Sequence, residues 1–264
     1  HTPTRRQRQM CIRDSSIRSD VLDGGVGADR LVGGDGNDLY RVDNADDVVV
    51  ELTGGGSRDH VHATVSHTLA ENVESLTLVG DSFLDLAGTG NELANTISGD
   101  SGDNHLSGLA ASDTLLGLGG DDQLLGGEGS DSLLGGSDDD LLSGGDGVDV
   151  LHGGTEHDAL FGGAGADSLY GEDGNDALFG DADDDWLDAG SGNDTLYGGD
   201  GTDTLKGGAG DDSYVIDDLV DIVDESGGSG IDEVVSSFSA DLSSSRFTGV
   251  ENLTLASGAG DLAS

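Results

Sequence analysis

The chain has 264 residues, 54 acidic against 10 basic, a formal charge of -44, with 48 glycines, few aromatic residues and one cysteine. So much negative charge excludes nucleic acid and anionic membranes as natural partners, and a single cysteine excludes a disulfide framework. No stretch is long and apolar enough to span a membrane or to form the core of a signal peptide, and so acidic a chain with so little apolar area should stay unfolded unless cations neutralise it.

Residues 1–19 stand apart, holding five of the ten basic residues and the only proline, cysteine and methionine. His1-Thr-Pro-Thr-Arg-Arg-Gln-Arg-Gln-Met-Cys-Ile-Arg-Asp-Ser15 reads as a non-native leader of the translated-adapter kind, to be set aside from fold reasoning; a basic targeting arm is the functional alternative. Residues 20–41 form a short repeat block that enters phase at Asp20-Val-Leu22 and runs through Gly24 to Val32 and Gly33 to Arg41, with Asp29 and Asp38 in equivalent places. In residues 42–89 the glycine signature stops. Asp47-Val-Val-Val-Glu51, Asp59-His-Val-His-Ala-Thr-Val65 and Val73-Glu-Ser-Leu-Thr-Leu78 alternate as half-buried strands do. His60 and His62 fall on one strand face, either as two ligands for a transition metal or as an exposed polar pair.

Residues 90–215 are the main block, and from Gly99 to Val215 a nine-residue unit repeats thirteen times without a slip of register. Gly126-Gly-Glu-Gly-Ser-Asp-Ser-Leu-Leu134 and Gly198-Gly-Asp-Gly-Thr-Asp-Thr-Leu-Lys206 show the pattern Gly-Gly-x-Gly-x-Asp-x-U-x, with U apolar. Position 8 is Leu in every copy but the last, which has Tyr214, and position 6 is Asp in every copy but the first, which has Asn104. Glycines at positions 1, 2 and 4 predict positive φ and tight turns with converging carbonyls. The x-U-x triplet predicts a three-residue strand with U inward. One unit cannot bury its leucine alone, so copies must stack into a solenoid. A soluble Gly/Asp linker, the competing reading, has no need of an inward leucine at every ninth residue. The aspartate beside converging carbonyls offers hard oxygen ligands of the kind that suit Ca2+. The candidate ligands are Asp29, Asp38, Asp113, Asp122, Asp131, Asp140, Asp149, Asp158, Asp167, Asp176, Asp185, Asp194, Asp203 and Asp212.

Residues 216–264 begin a second copy of the connecting segment. Gly36-Asn-Asp-Leu-Tyr-Arg-Val-Asp43 corresponds to Gly210-Asp-Asp-Ser-Tyr-Val-Ile-Asp217, and Val73-Glu-Ser-Leu-Thr-Leu78 to Val250-Glu-Asn-Leu-Thr-Leu255, with Tyr40 and Tyr214 marking the hand-over in each. The second copy stops where a return to repeat phase is expected, so the chain reads as a fragment of a longer protein.

In these motifs the chain resembles the RTX (repeats-in-toxin, hemolysin-type) family of calcium-binding nonapeptide repeats, strictly over about half its length. The resemblance implies an all-β fold, a parallel β-roll (β-solenoid) of nonamers, two to a coil, with longer-loop β segments joining or capping the rolls. It implies multiple Ca2+ ions between coils, with ligands paired two nonamers apart: Asp113, Asp131, Asp149, Asp167, Asp185 and Asp203 on one edge, Asp122, Asp140, Asp158, Asp176, Asp194 and Asp212 on the other. It further implies a secreted or cell-surface bacterial protein exported through a type I secretion apparatus, in which calcium-driven folding follows export and stabilises the larger protein. A structural or adhesive repeat region, or the non-catalytic C-terminal part of an RTX-type hydrolase or epimerase, are the alternatives. Neither His-Glu-x-x-His nor Gly-x-Ser-x-Gly occurs, and carboxylates repeated along the whole length imply no catalytic cleft, so no enzyme activity is expected of this stretch.

Three finer expectations follow from the repeat. Asp138 and Glu156 stand at position 4, where a β-carbon is costly, so the sites around Asp140 and Asp158 should empty first as calcium falls. Position 9 of alternate repeats should stack Leu125, Ser143, Phe161, Phe179, Tyr197 and Val215 on one face, as an aromatic ladder or as a docking face for a neighbouring module or second copy. His152 and His157 fall at variable positions and read as solvated.

Overall fold

The computed structural model describes residues 11–13, 19–80, 84–216, 220–236 and 246–255, and every regular element among them is a strand. Most of the leader and the end of the second connecting segment lie outside the described residues. Among the described residues no helix is long and apolar enough to cross a membrane.

Successive nonamers go alternately to two parallel sheets. Thirteen strands, from Val21–Asp23 to Phe247–Thr248, make one sheet, and eleven, from His67–Thr68 to Asn252–Leu255, make the other. Cys11–Arg13, Arg30–Val32 and Val48–Val50 form a small third sheet. In the main block every strand pairs with the one two nonamers further on: Leu106 opposes Leu124 and Leu124 opposes Leu142 on one side, while Leu115 opposes Leu133 and Leu133 opposes Leu151 on the other. Two nonamers therefore complete one coil, and the chain is a β-solenoid of about 12 turns.

The strands are longer than the triplet expected from sequence. His105–Ala110 and its successors run six residues, through the glycine at position 1 to the variable residue at position 3. Their burial alternates, so the apolar residue at position 8 and the glycine at position 1 both face inward while position 9 points out. Position 1 also corrects the expected role of its glycine: positive φ belongs to positions 2 and 4, as at Gly127 (115°) and Gly129 (138°), whereas Gly126 keeps ordinary strand geometry. Glycine at position 1 answers to space: a β-carbon on Gly126 would lie 2.3 Å from Asp131 Oδ2.

The inward leucines form two continuous columns from Leu106 to Leu205, each residue at most 1% exposed. Full burial of a leucine contributes about 1.5–3 kcal/mol, and from Leu124 to Leu187 each opposes the leucine of the coils above and below. In the connecting segments the coil lengthens beyond two nonamers: Leu39 opposes His60, and Ser213 opposes Glu233. The added residues go into longer loops. The two connecting segments start on opposite sheets, Leu39–Val42 on the thirteen-stranded one and Ser213–Ile216 on the eleven-stranded one.

Candidate metal centre

The aspartate at position 6 ends each turn and starts the next strand, and its carboxylate folds back into the turn. Its two oxygens have separate roles. Oδ1 accepts the backbone N–H of the equivalent residue one coil earlier: Asp113 N–H reaches Asp131 Oδ1 at 2.8 Å, Asp131 reaches Asp149 at 2.7 Å and Asp149 reaches Asp167 at 2.8 Å. The other edge repeats this, with Asn104 N–H to Asp122 at 2.6 Å, Asp122 to Asp140 at 2.8 Å and Asp140 to Asp158 at 2.8 Å. Oδ2 is left over. In Asp113, Asp122, Asp131, Asp140, Asp149, Asp158, Asp167, Asp176, Asp185, Asp194 and Asp212 that oxygen is buried with no hydrogen-bond partner. A buried, unsatisfied charged oxygen costs several kcal/mol, and its recurrence coil after coil is understandable only with a counter-charge nearby.

Room for one exists. A β-carbon on Gly108 would lie 2.2 Å from Asp113 Oδ2 and 2.7 Å from the carbonyl oxygen of Gly126, and one on Gly144 would lie 2.3 Å from Asp149 Oδ2 and 2.7 Å from Gly162 O. The glycine at position 1 thus keeps open a small space onto which a carboxylate oxygen and a carbonyl oxygen of the next coil both face. All these donors are oxygens and the cluster is anionic, so the residues fit Ca2+.

The electrostatics agree. Burial first, then neighbouring carboxylates, pushes Asp158 up to about 8 and Asp122, Asp140, Asp167, Asp185 and Asp194 to about 7. Burial likewise raises Asp113, Asp149 and Asp212 to about 6, and lifts Asp131 and Asp176. The N–H donated by the preceding coil pulls each of them down by less than burial raises it.

All fourteen aspartates nominated from sequence are buried. Asp185 N–H reaches Asp203 Oδ1 at 2.9 Å and Asp194 N–H reaches Asp212 Oδ1 at 2.9 Å, while Asp20 N–H reaches Asp38 Oδ1 at 2.8 Å in the short block. The ladder also extends past the nonamers, through residues the sequence reading missed. Asp29 N–H is met by Asp47 Oδ1 (2.9 Å), Asp38 by Asp59 (2.7 Å), Asp203 by Asp221 (3.3 Å) and Asp212 by Asp232 (3.0 Å). Asp47 and Asp221 keep the 18-residue spacing and were open to discovery by it; Asp59 and Asp232 stand 21 and 20 residues on, displaced by the longer coil. Two groups combine a ladder pair with a glutamate: Asp38, Glu51 and Asp59, and Asp212, Glu225 and Asp232.

The histidines divide differently from expectation. His157 is exposed, as expected, and is also a rung: its N–H reaches Asp139 Oδ1 at 2.9 Å and its Nδ1 accepts Asn175 N–H at 3.0 Å. His152 is half-buried, stacked on Tyr170 at 4.7 Å with Nδ1 2.8 Å from Glu172 Oε1. The His60 and His62 rings meet edge-on at 4.7 Å, but His60 Nε2 pairs with Thr77 Oγ1 at 3.0 Å, and neither histidine joins a three-ligand group among the described residues. Asp138 and Glu156 do take positive φ, 80° and 77°. The position-9 rank is stacked as expected, with Phe161 and Phe179 parallel at 4.8 Å and Tyr197 tilted 6.4 Å from Phe179.

A family model described as the RTX calcium-binding nonapeptide repeat (4 copies) matches residues 15–49, 89–124, 125–160, 152–187 and 179–214, more than half of the chain. No curated protein matches the chain.

Proposed function

The chain belongs to the RTX calcium-binding nonapeptide repeat family, and from that premise we propose that it is a module which stays unfolded where calcium is scarce and folds on reaching a calcium-rich exterior, there stabilising a larger secreted protein. The observation that carries this reading is the series of buried Oδ2 oxygens without partners, one per nonamer along most of the roll. The residues that would hold calcium are the position-6 aspartates from Asp113 to Asp212, with Asp29 and Asp38 in the short block; Asp113, Asp122, Asp131, Asp140, Asp149, Asp167 and Asp185 each share their space with a glycine carbonyl of the adjoining coil. Calcium, when bound, supplies the positive charge that makes burial of these carboxylates favourable.

The chain's own residues do the rest. Leucine columns give each coil an apolar contact that exists only when its neighbours are folded, so ordering is cooperative along the axis. Sites of extracellular type, with Kd of ~10⁻⁴ M, contribute about 1.4 kcal/mol each at ~1 mM calcium, and far less at cytosolic levels. Export through a type I apparatus, which passes unfolded chains, suits a polypeptide with this switch. Family members are typically secreted bacterial proteins, which supports an extracellular location.

Far-ultraviolet circular dichroism tests the proposal. In chelator the chain is expected to give a disordered spectrum, and millimolar calcium should restore β-structure. An ordered β spectrum in chelator at pH 8 would sink the mechanism.

A further inference from the structure

Where nonamers give way to the longer coils, the chain builds the same arrangement twice, outside the Gly-Gly-x-Gly-x-Asp pattern. Asp38, Glu51 and Asp59 each bring a carboxylate oxygen within 4.8 Å of the others, and Asp212, Glu225 and Asp232 do the same; all six residues are buried. The glutamate follows the first aspartate at the same spacing in both copies and comes from the lengthened loop, so a coil made only of nonamers has no counterpart to it. In the first copy Tyr40 Oη donates to Glu51 Oε2. In the second, Gly207 N–H reaches Glu225 Oε1 at 2.9 Å and Tyr214 Oη at 2.7 Å.

These bonds leave oxygens over. Asp59 Oδ2, Asp212 Oδ2 and Glu225 Oε2 are buried without a partner, on residues 0%, 2% and 6% exposed. An equivalent glycine keeps each space open. A β-carbon on Gly228 would fall 2.0 Å from Glu225 Oε2 and 2.5 Å from Gly208 O, and one on Gly55 would fall 2.2 Å from Glu51 Oε1 and 2.1 Å from Gly34 O. Each cluster therefore adds a backbone carbonyl to three carboxylates.

We infer that each hand-over is a cation site in its own right, taking a hard divalent cation such as calcium on three carboxylates and a glycine carbonyl, and binding it more tightly than the sites between nonamers. The inference rests on the calcium-binding reading above. Affinity in oxygen-ligand sites rises with the number of charged ligands, and these clusters, with three carboxylates each, exceed the paired aspartates of the roll in that number. Filling them ties the lengthened loop to the adjoining nonamer, so both hand-overs close before the coils between them fill.

Calcium titration of the whole apo chain against a chelating indicator dye decides the matter, with circular dichroism at saturating calcium as a check on folding. The parent should show a tight class of two ions, one per cluster, followed by weaker sites. Glu51→Gln with Glu225→Gln should weaken that class about tenfold or more, whereas Asp158→Asn should leave it intact. An unchanged tight class in the glutamate variants, or its equal loss in Asp158→Asn, overturns the inference. Binding by the parent in a single weak class overturns it while leaving the calcium-binding reading standing; no binding at millimolar calcium removes both. Terbium luminescence excited through tyrosine gives a second readout on the unmodified chain should a variant fail to fold. Because Tyr40 and Tyr214 sit against the clusters, sensitised emission should saturate with the first two equivalents, and emission that grows only with later ones counts against the tight sites.

Discussion

The position-6 aspartate shows how one side chain serves two ends. Its Oδ1 accepts a backbone N–H from the preceding coil, and its Oδ2, as in Asp158, is buried with no hydrogen-bond partner. Burial raises the folded-state value of Asp158 to about 8 and of Asp140 to about 7, against ~3.9 for an unperturbed aspartate. The cation-free folded chain therefore holds protons that the unfolded chain has released. Its ionisation penalty is absent below the unfolded value and complete above the folded ones, so stability without calcium falls as pH rises from about 4 to about 8. In chelator, circular dichroism should show more β-structure at pH 5 than at pH 8; the reverse order would mean that these carboxylates are not desolvated. Glu156, at φ 77°, bears on the same chemistry through the backbone, since a left-handed residue with a β-carbon costs about 1–2 kcal/mol. Glu156→Gly should raise the calcium-loaded stability by about 1 kcal/mol, read as a higher melting temperature; a fall would mean the carboxylate is itself a ligand. That position 6 carries the chemistry was legible from its regularity. The division of labour between its oxygens was not, because it depends on which backbone N–H the preceding coil presents.

Among elements, the six-residue strand is the unit that sequence reading cut short. A glycine pair reads as a turn, yet the glycine at position 1 stays extended and faces inward, and the bend waits for positions 2 and 4. The stacking of leucines was legible because an apolar residue every ninth position has one economical arrangement. The coupling of coils at two nonamers then placed Phe161 over Phe179, and their rings are parallel at 4.8 Å. Cross-strand aromatic pairs contribute roughly 0.2–1 kcal/mol each, so Phe161→Ser with Phe179→Ser should lower the melting temperature while light scattering reports an unchanged mass. Loss of an oligomer present in the parent would instead identify this face as a contact between copies. The lengthened coils were the least legible elements: Asp59 and Asp232 belong to the aspartate ladder, but at 21 and 20 residues they break the spacing that exposes the others.

The whole molecule is one-dimensional in its energetics. Among the described residues of the main block, each coil pairs with the coils beside it through a leucine on each sheet and an aspartate rung on each edge. This has a mechanical consequence. If the chain is held at its two ends and drawn apart, the terminal coil, paired with a neighbour on one side only, peels away first. Extension should then proceed in near-equal increments of about 60 Å, the contour length of one two-nonamer coil, in place of the single abrupt rupture of a globular domain. Optical-tweezer traces in calcium should show that staircase, with the coils at the two hand-overs yielding at a higher force than those between them; one cooperative rupture of the entire roll would show that coils are coupled beyond their neighbours.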